Sequence, residues 1–97
     1  MTVKEIIFKV LEENNVLPCS ERTKIWNTKT PEQYTEQDKK ALFYHIDIYS
    51  SQIRLFFWRV NKAPTKTQVN KMFKAISEKL SFVNVSLSVE QTIIITY

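Results

Sequence analysis

The stretch LFYHIDIYSSQIRLFFWRV, residues 42–60, decides the fold. Its two halves alternate with a period of two, and Ser50-Ser51 is the only polar break between them. It reads as a β-hairpin. In 42–49, Leu42, Tyr44, Ile46 and Ile48 share one face and are expected to form the core side. Phe43, His45, Asp47 and Tyr49 share the other. In 52–60, Ile53, Leu55 and Phe57 alternate with Arg54, Phe56, Trp58 and Val60, so both faces are apolar. Such a strand is either covered on both sides or offers an aromatic surface to a partner.

Outward from the hairpin, residues 65–81 give the clearest helix. Thr65 and Gln68 form a capping box, and Val69, Met72, Phe73, Ile76 and Leu80 form an apolar stripe. Residues 3–14 repeat the pattern with Thr2 and Glu5 as cap and Val3, Ile6, Ile7, Val10 and Leu11 as stripe. Asn14 or Asn15 is suited to end that helix in the left-handed conformation. After residue 82 the period returns to two: Val83, Val85, Leu87 and Val89 alternate with polar residues. Glu90-Gln91 reads as a turn and residues 92–97 as a last strand. Residues 15–40 have little periodicity. Ile25-Trp26 is their only bulky apolar pair, expected as a short strand or an anchor, and Thr30-Pro31 reads as a helix start.

The expected fold is α+β, with a four-stranded antiparallel sheet and two amphipathic helices on one face. The 97 residues are expected to make a single domain, 1–97. Two layers leave the second sheet face open, with His45, Asp47, Tyr49, Arg54, Phe56 and Trp58 on it. An uncovered edge at residues 92–97 makes the expected state a monomer or a strand-paired homodimer.

Composition narrows function by exclusion. The chain has no glycine, so no Walker loop, dinucleotide fingerprint or glycine-rich phosphate cradle exists in it. Any left-handed turn position must be filled by asparagine or by a strained residue. Mean hydropathy is −0.28 and the apolar runs are short, so no membrane association is expected. The N-terminal stretch has acidic residues within its apolar repeat, unlike a signal peptide. With one cysteine, Cys19, this points to a cytoplasmic protein.

Cys19 and His45 are the only thiol and the only imidazole, and nothing in the sequence brings them together. A non-enzymatic protein with no cofactor and no metal is therefore expected. Charge is uneven. Residues 1–48 carry seven basic and eight acidic side chains, whereas residues 49–97 carry seven basic and two acidic, which places the net +4 in the second half.

Two functions fit. The first is a small protein-binding module, of the inhibitor, immunity-protein or adaptor kind, that blocks or bridges a partner protein with an acidic surface. Trp58, Phe56, Arg54 and Tyr49 would make the contact, with Trp26 as a loop anchor, because Trp, Tyr and Arg dominate interface energetics. The alternative is an RNA- or DNA-binding domain using Lys62, Lys66, Lys71 and Lys74, with nearby aromatics and Arg54 and Arg59 supplying base stacking. Lysines on the outer face of an amphipathic helix are usually no more than solvated.

One local resemblance bears on the second reading. In residues 53–85, Val60-Asn61, Ala63 and Lys66-Thr67-Gln68 stand where a similar strand–helix–strand unit occurs in the large-subunit ribosomal protein at the exit-tunnel rim. The resemblance implies rRNA contacts for Lys62, Lys66 and Lys71 alone. The N-terminal half has no counterpart in that family, and the family's basic glycine-rich loop is missing, so no membership follows.

Overall fold

The computed structural model describes residues 1–97. In chain order it contains α1 (Val3–Glu13), β1 (Leu17–Pro18), α2 (Cys19–Thr28), a 3-10 turn (Pro31–Gln33), α3 (Glu36–Lys40), β2 (Phe43–Ile48), β3 (Gln52–Trp58), α4 (Lys66–Lys79), β4 (Asn84–Leu87) and β5 (Ile93–Thr96). The α+β class is as expected. The sheet differs: it is mixed and five-stranded, ordered β1-β2-β3-β5-β4. The added strand, β1, runs parallel to β2, with Leu17 opposite Phe43 and the Leu17 N–H donating to the Leu42 carbonyl at 3.1 Å. There are four α-helices where two were expected, and no helix is long and apolar enough to cross a membrane.

The core follows the alternation of β3. Ile53, Leu55 and Phe57 point into a cluster with Ile7, Val10 and Leu11 of α1, Val69, Met72 and Ile76 of α4, and Ile93 and Ile95 of β5. Helices α1 and α4 thus lie on the same sheet face, as their stripes require. The Thr65–Gln68 capping box forms as read, with the Gln68 N–H donating to Thr65 Oγ1 at 3.1 Å and Thr65 N–H to Gln68 Oε1 at 3.0 Å. At α1 the box is half made. The Glu5 N–H donates to Thr2 Oγ1, but the Glu5 carboxylate takes the Thr2 hydroxyl and not its backbone N–H.

Without glycine, two other residues enter the left-handed region: Asn15 at φ 57° and Gln91 at φ 65°. Asn15 closes α1. The Val16 N–H bonds back to the Leu11 carbonyl and the Asn15 N–H to that of Glu12, the paired bonds of a Schellman motif, with Leu11 and Val16 both buried. Gln91 closes the β4–β5 hairpin. The Gln91 N–H donates to the Ser88 carbonyl and the Ser88 N–H to that of Thr92, a three-residue loop whose last residue is normally glycine. Neither Ser50 nor Ser51 has positive φ, so the β2–β3 connection is not a primed turn. Left-handed backbone costs a non-glycine residue about 1–2 kcal/mol, part of which the extra freedom of unfolded glycine cancels. Gln91→Gly is therefore expected to stabilise the protein by about 0.5 kcal/mol, seen as a melting temperature raised by roughly 2–4 °C; an unchanged or lower value would contradict the strain at this turn.

The second sheet face is only partly open, which corrects the two-layer expectation. Phe43, on the face opposite Leu42, is completely buried, and so is Val60. Neither belongs to the cluster beneath α1 and α4. They are covered by α2, which the sequence shows poorly. No α2 residue is buried, and its cap, Pro18, offers no side-chain oxygen. What fixes α2 is long-range. Arg22 Nε donates to the Arg59 carbonyl at 2.8 Å, and Trp26 Nε1 to the Val60 carbonyl at 2.8 Å. Ile25-Trp26 is thus helical, not a strand, although Trp26 does act as an anchor. At the opposite end β2 is an open edge, since β1 pairs with it only at Phe43 and Tyr44, and Ile48, expected in the core, is exposed.

Helix α3 joins these layers through its last carbonyls. Arg59 Nε and Nη2 donate to the Lys39 carbonyl, and Gln68 Nε2 to that of Lys40. At its start, Lys29 Nζ lies 2.6 Å from Asp38 Oδ2, which also accepts the Thr35 N–H. The Lys29 ammonium, then the Thr35 amide, hold the Asp38 carboxyl below its usual range. A depressed folded-state pKa gives stability that is present above the unfolded-state value and lost as pH falls through the folded one. The difference in melting temperature between wild type and Asp38→Asn is therefore expected to be constant near neutral pH and to shrink as pH falls below the ordinary aspartate range. A difference that grows as the pH is lowered would contradict the assignment.

Candidate functional site

Alternation along β3 turns Arg54, Phe56 and Trp58 away from α1 and α4, and pairing brings neighbours to them. Phe56 lies opposite His45, Arg54 opposite Asp47, and Trp58 opposite Phe43. On the other side, Ile94 of β5 pairs with Arg54. The face so formed is capped at one end by α2. Arg22 and Trp26, four residues apart, share the side of α2 that meets the sheet. The Arg22 guanidinium sits 4.1 Å from the Trp26 ring centroid and 5.3 Å from that of Trp58. Its Nε is held by the Arg59 carbonyl. Two indoles and a guanidinium thus form one fixed stack, within the range where a cation is attracted to the ring face.

The stack is accessible. Trp26 is 46% exposed, Trp58 42% and Tyr49 52%. Phe56 is half-buried beside His45, ring centroids 6.0 Å apart. His45 Nε2 is 2.9 Å from Asp47 Oδ1. Arg54 lies 6.0 Å from the Tyr49 ring, and its Nε donates to Gln52 Oε1 at 2.8 Å. The five residues expected at a protein contact therefore fall on one side of the molecule. Arg22 completes the array and was missed, although the Arg22–Trp26 spacing within a helical segment was its available signal.

The lysines do not join this surface. Lys62, Lys66, Lys71 and Lys74 are exposed, but α4 packs on the opposite sheet face through Val69, Met72 and Ile76. Arg59 is committed to the Lys39 carbonyl. The α4 lysines and the stacking aromatics thus stand on opposite sides of the sheet, while Lys62 lies in the β3–α4 loop, its carbonyl accepting from the Arg59 N–H at 3.2 Å. Lys71 instead lines a cleft of about 890 Å³ on the helix side, with Leu11, Leu42 and Met72 in its floor and Lys40 at its rim.

Cys19 and His45 are not hydrogen-bonded to each other; His45 is paired with Asp47. Burial pushes the Cys19 thiol up, against a smaller opposing pull from Arg22, so it stays protonated at neutral pH. The Tyr44 hydroxyl is likewise raised, by burial first and by a Cys19 charge second.

No protein-family model, curated protein or solved structure matches the chain. What the chain does has to be read from its own surface.

Proposed function

We propose that this is a small protein-binding module, of the inhibitor, immunity-protein or adaptor kind, that engages its partner with the open sheet face. The observation that carries the reading is the Trp26–Arg22–Trp58 stack, continued by Phe56, Arg54 and Tyr49. Exposed aromatics normally lose side-chain freedom on binding. Here Arg22 and Trp26 are already held by the Arg59 and Val60 carbonyls, so less ordering remains to be done. Arg22 and Arg54 supply positive charge, and Asp47, hydrogen-bonded to His45, is the one carboxylate beside them. A partner presenting carboxylates around an apolar patch complements this face.

The nucleic-acid reading needs stacking groups and a row of phosphate-binding lysines on one surface, and Lys66, Lys71 and Lys74 belong to a helix packed on the opposite side of the sheet. Capture experiments at low and high salt, with and without nuclease, separate the two. A stoichiometric protein that persists through both treatments is the expected result. Material released steeply by salt and destroyed by nuclease would instead indicate the lysines of α4.

A further inference from the structure

The strand expected at the sheet edge, residues 92–97, is not there: β5 lies between β3 and β4. The edge on that side is β4, and the β4–β5 hairpin fixes which of its backbone groups are unused. The Ser88 N–H donates to the Thr92 carbonyl, and Leu87 pairs with Ile93, Ser86 with Ile94 and Asn84 with Thr96. Antiparallel bonding alternates, so Ser88, Ser86 and Asn84 bond toward β5 while Val85 and Leu87 turn their N–H and carbonyl groups outward. The far side of β5 agrees, since the Tyr97 N–H reaches the Ser51 carbonyl in the direction of β3. No side chain takes up the free groups of Val85 or Leu87.

Natural edge strands are guarded by lysine, proline, bulges or covering segments. Residues 81–89, SFVNVSLSV, contain no charge and no proline. Phe82 and Val89, at the two ends of the edge, are 65% and fully exposed. We propose that β4 pairs with β4 of a second copy of this chain, antiparallel, about a two-fold axis at Ser86. In that register Val85 of each copy exchanges both backbone bonds with Leu87 of the other. Four hydrogen bonds form, and all four outward N–H groups and carbonyls of the pair are used. Ser86 faces Ser86, Asn84 faces Ser88, and Val89 meets Val83 of the other copy. No charge opposes a like charge along the ribbon.

The axis is perpendicular to the sheet, so the joined ten-stranded sheet keeps both open faces on one side. The β4 edge lies at the opposite end of the strand order from β1, where α2 sits, so the Trp26–Arg22–Trp58 stack of each copy stays clear. The dimer is then a two-site platform, and a bivalent partner gains from the second site without any new contact. Four residues of strand make a small interface, so the dimer is expected to form only at about 10 µM or above.

Ser86 is exposed on the axis and supports nothing in the core, which makes it the position to vary. Sedimentation equilibrium over a concentration series is expected to show a dimer for the wild type. Ser86→Lys and Ser86→Glu, each alone, are expected to weaken it about fivefold or more. An equimolar mixture of the two is expected to restore it. In parallel, the Val85 and Leu87 amides are expected to gain protection from hydrogen exchange as concentration rises, while the Ser86 amide is protected throughout. A wild type that remains monomeric to about 1 mM, far above what even a small specific interface needs, would overturn the proposal. So would a dimer indifferent to Ser86→Lys.

Discussion

Truncating Phe43 to alanine is expected to cost about 3–5 kcal/mol in urea unfolding, the range for a fully buried aromatic. Phe43 is 0% exposed. It lies on the sheet face away from α1 and α4, opposite Trp58 in register and under α2. A two-layer protein would leave it in solvent, and its loss would then change stability by well under 1 kcal/mol. The effect therefore measures whether α2 closes a second, smaller core. It should also loosen α2, because the Arg59 and Val60 carbonyls that bind Arg22 and Trp26 flank the same site. A loss below about 1 kcal/mol would show that α2 does not cover this end.

The second large effect is on binding. Trp58→Ala is expected to weaken partner affinity by 2 kcal/mol or more, about thirtyfold, as for a central interface tryptophan. Its effect on stability should be much smaller than that of Phe43→Ala, since nearly half of the side chain is in solvent. Arg22→Lys sharpens the test. It keeps the charge but loses the planar group that lies between the two indoles and the Nε bond to the Arg59 carbonyl. It should weaken binding by severalfold through a looser stack, seen as a faster off-rate. Full affinity in both variants, measured by calorimetry against the captured partner, would move the site elsewhere.

Much of this fold was legible because its signals are local. The hairpin, its polar turn at Ser50-Ser51, the stripe of α4 with its Thr65–Gln68 box, and the asparagine that ends α1 all lie within a few residues of their partners. Residues 15–40 were not legible for the opposite reason. Helix α2 has no buried stripe, and its determinants are bonds from Arg22 and Trp26 to carbonyls 37 and 34 residues away. Strand β1 is two residues long and exists only because β2 is beside it.

The candidate site was legible only in part: its strand residues could be grouped, but Arg22, which lies over both indoles, was missed. Alternation groups Arg54, Phe56 and Trp58 on one face of a strand. It does not say which end of that face is covered. That is why Phe43 is core while Tyr49, on the same face of the hairpin, is half exposed. Nor does it say which side carries the lysines. Only the packing of Val69, Met72 and Ile76 against β3 and β5 places Lys66 and Lys74 away from the aromatics.

The most direct test of the binding face compares two double variants in one capture experiment, at low and at high salt with nuclease present. Arg54→Ala/Trp58→Ala removes the centre of the open face. Lys66→Glu/Lys74→Glu reverses the outer face of α4. The first variant is expected to lose the protein partner and the second to retain it at both salt concentrations. Retention by the first and loss by the second would remove the function from the open sheet face and place it on α4.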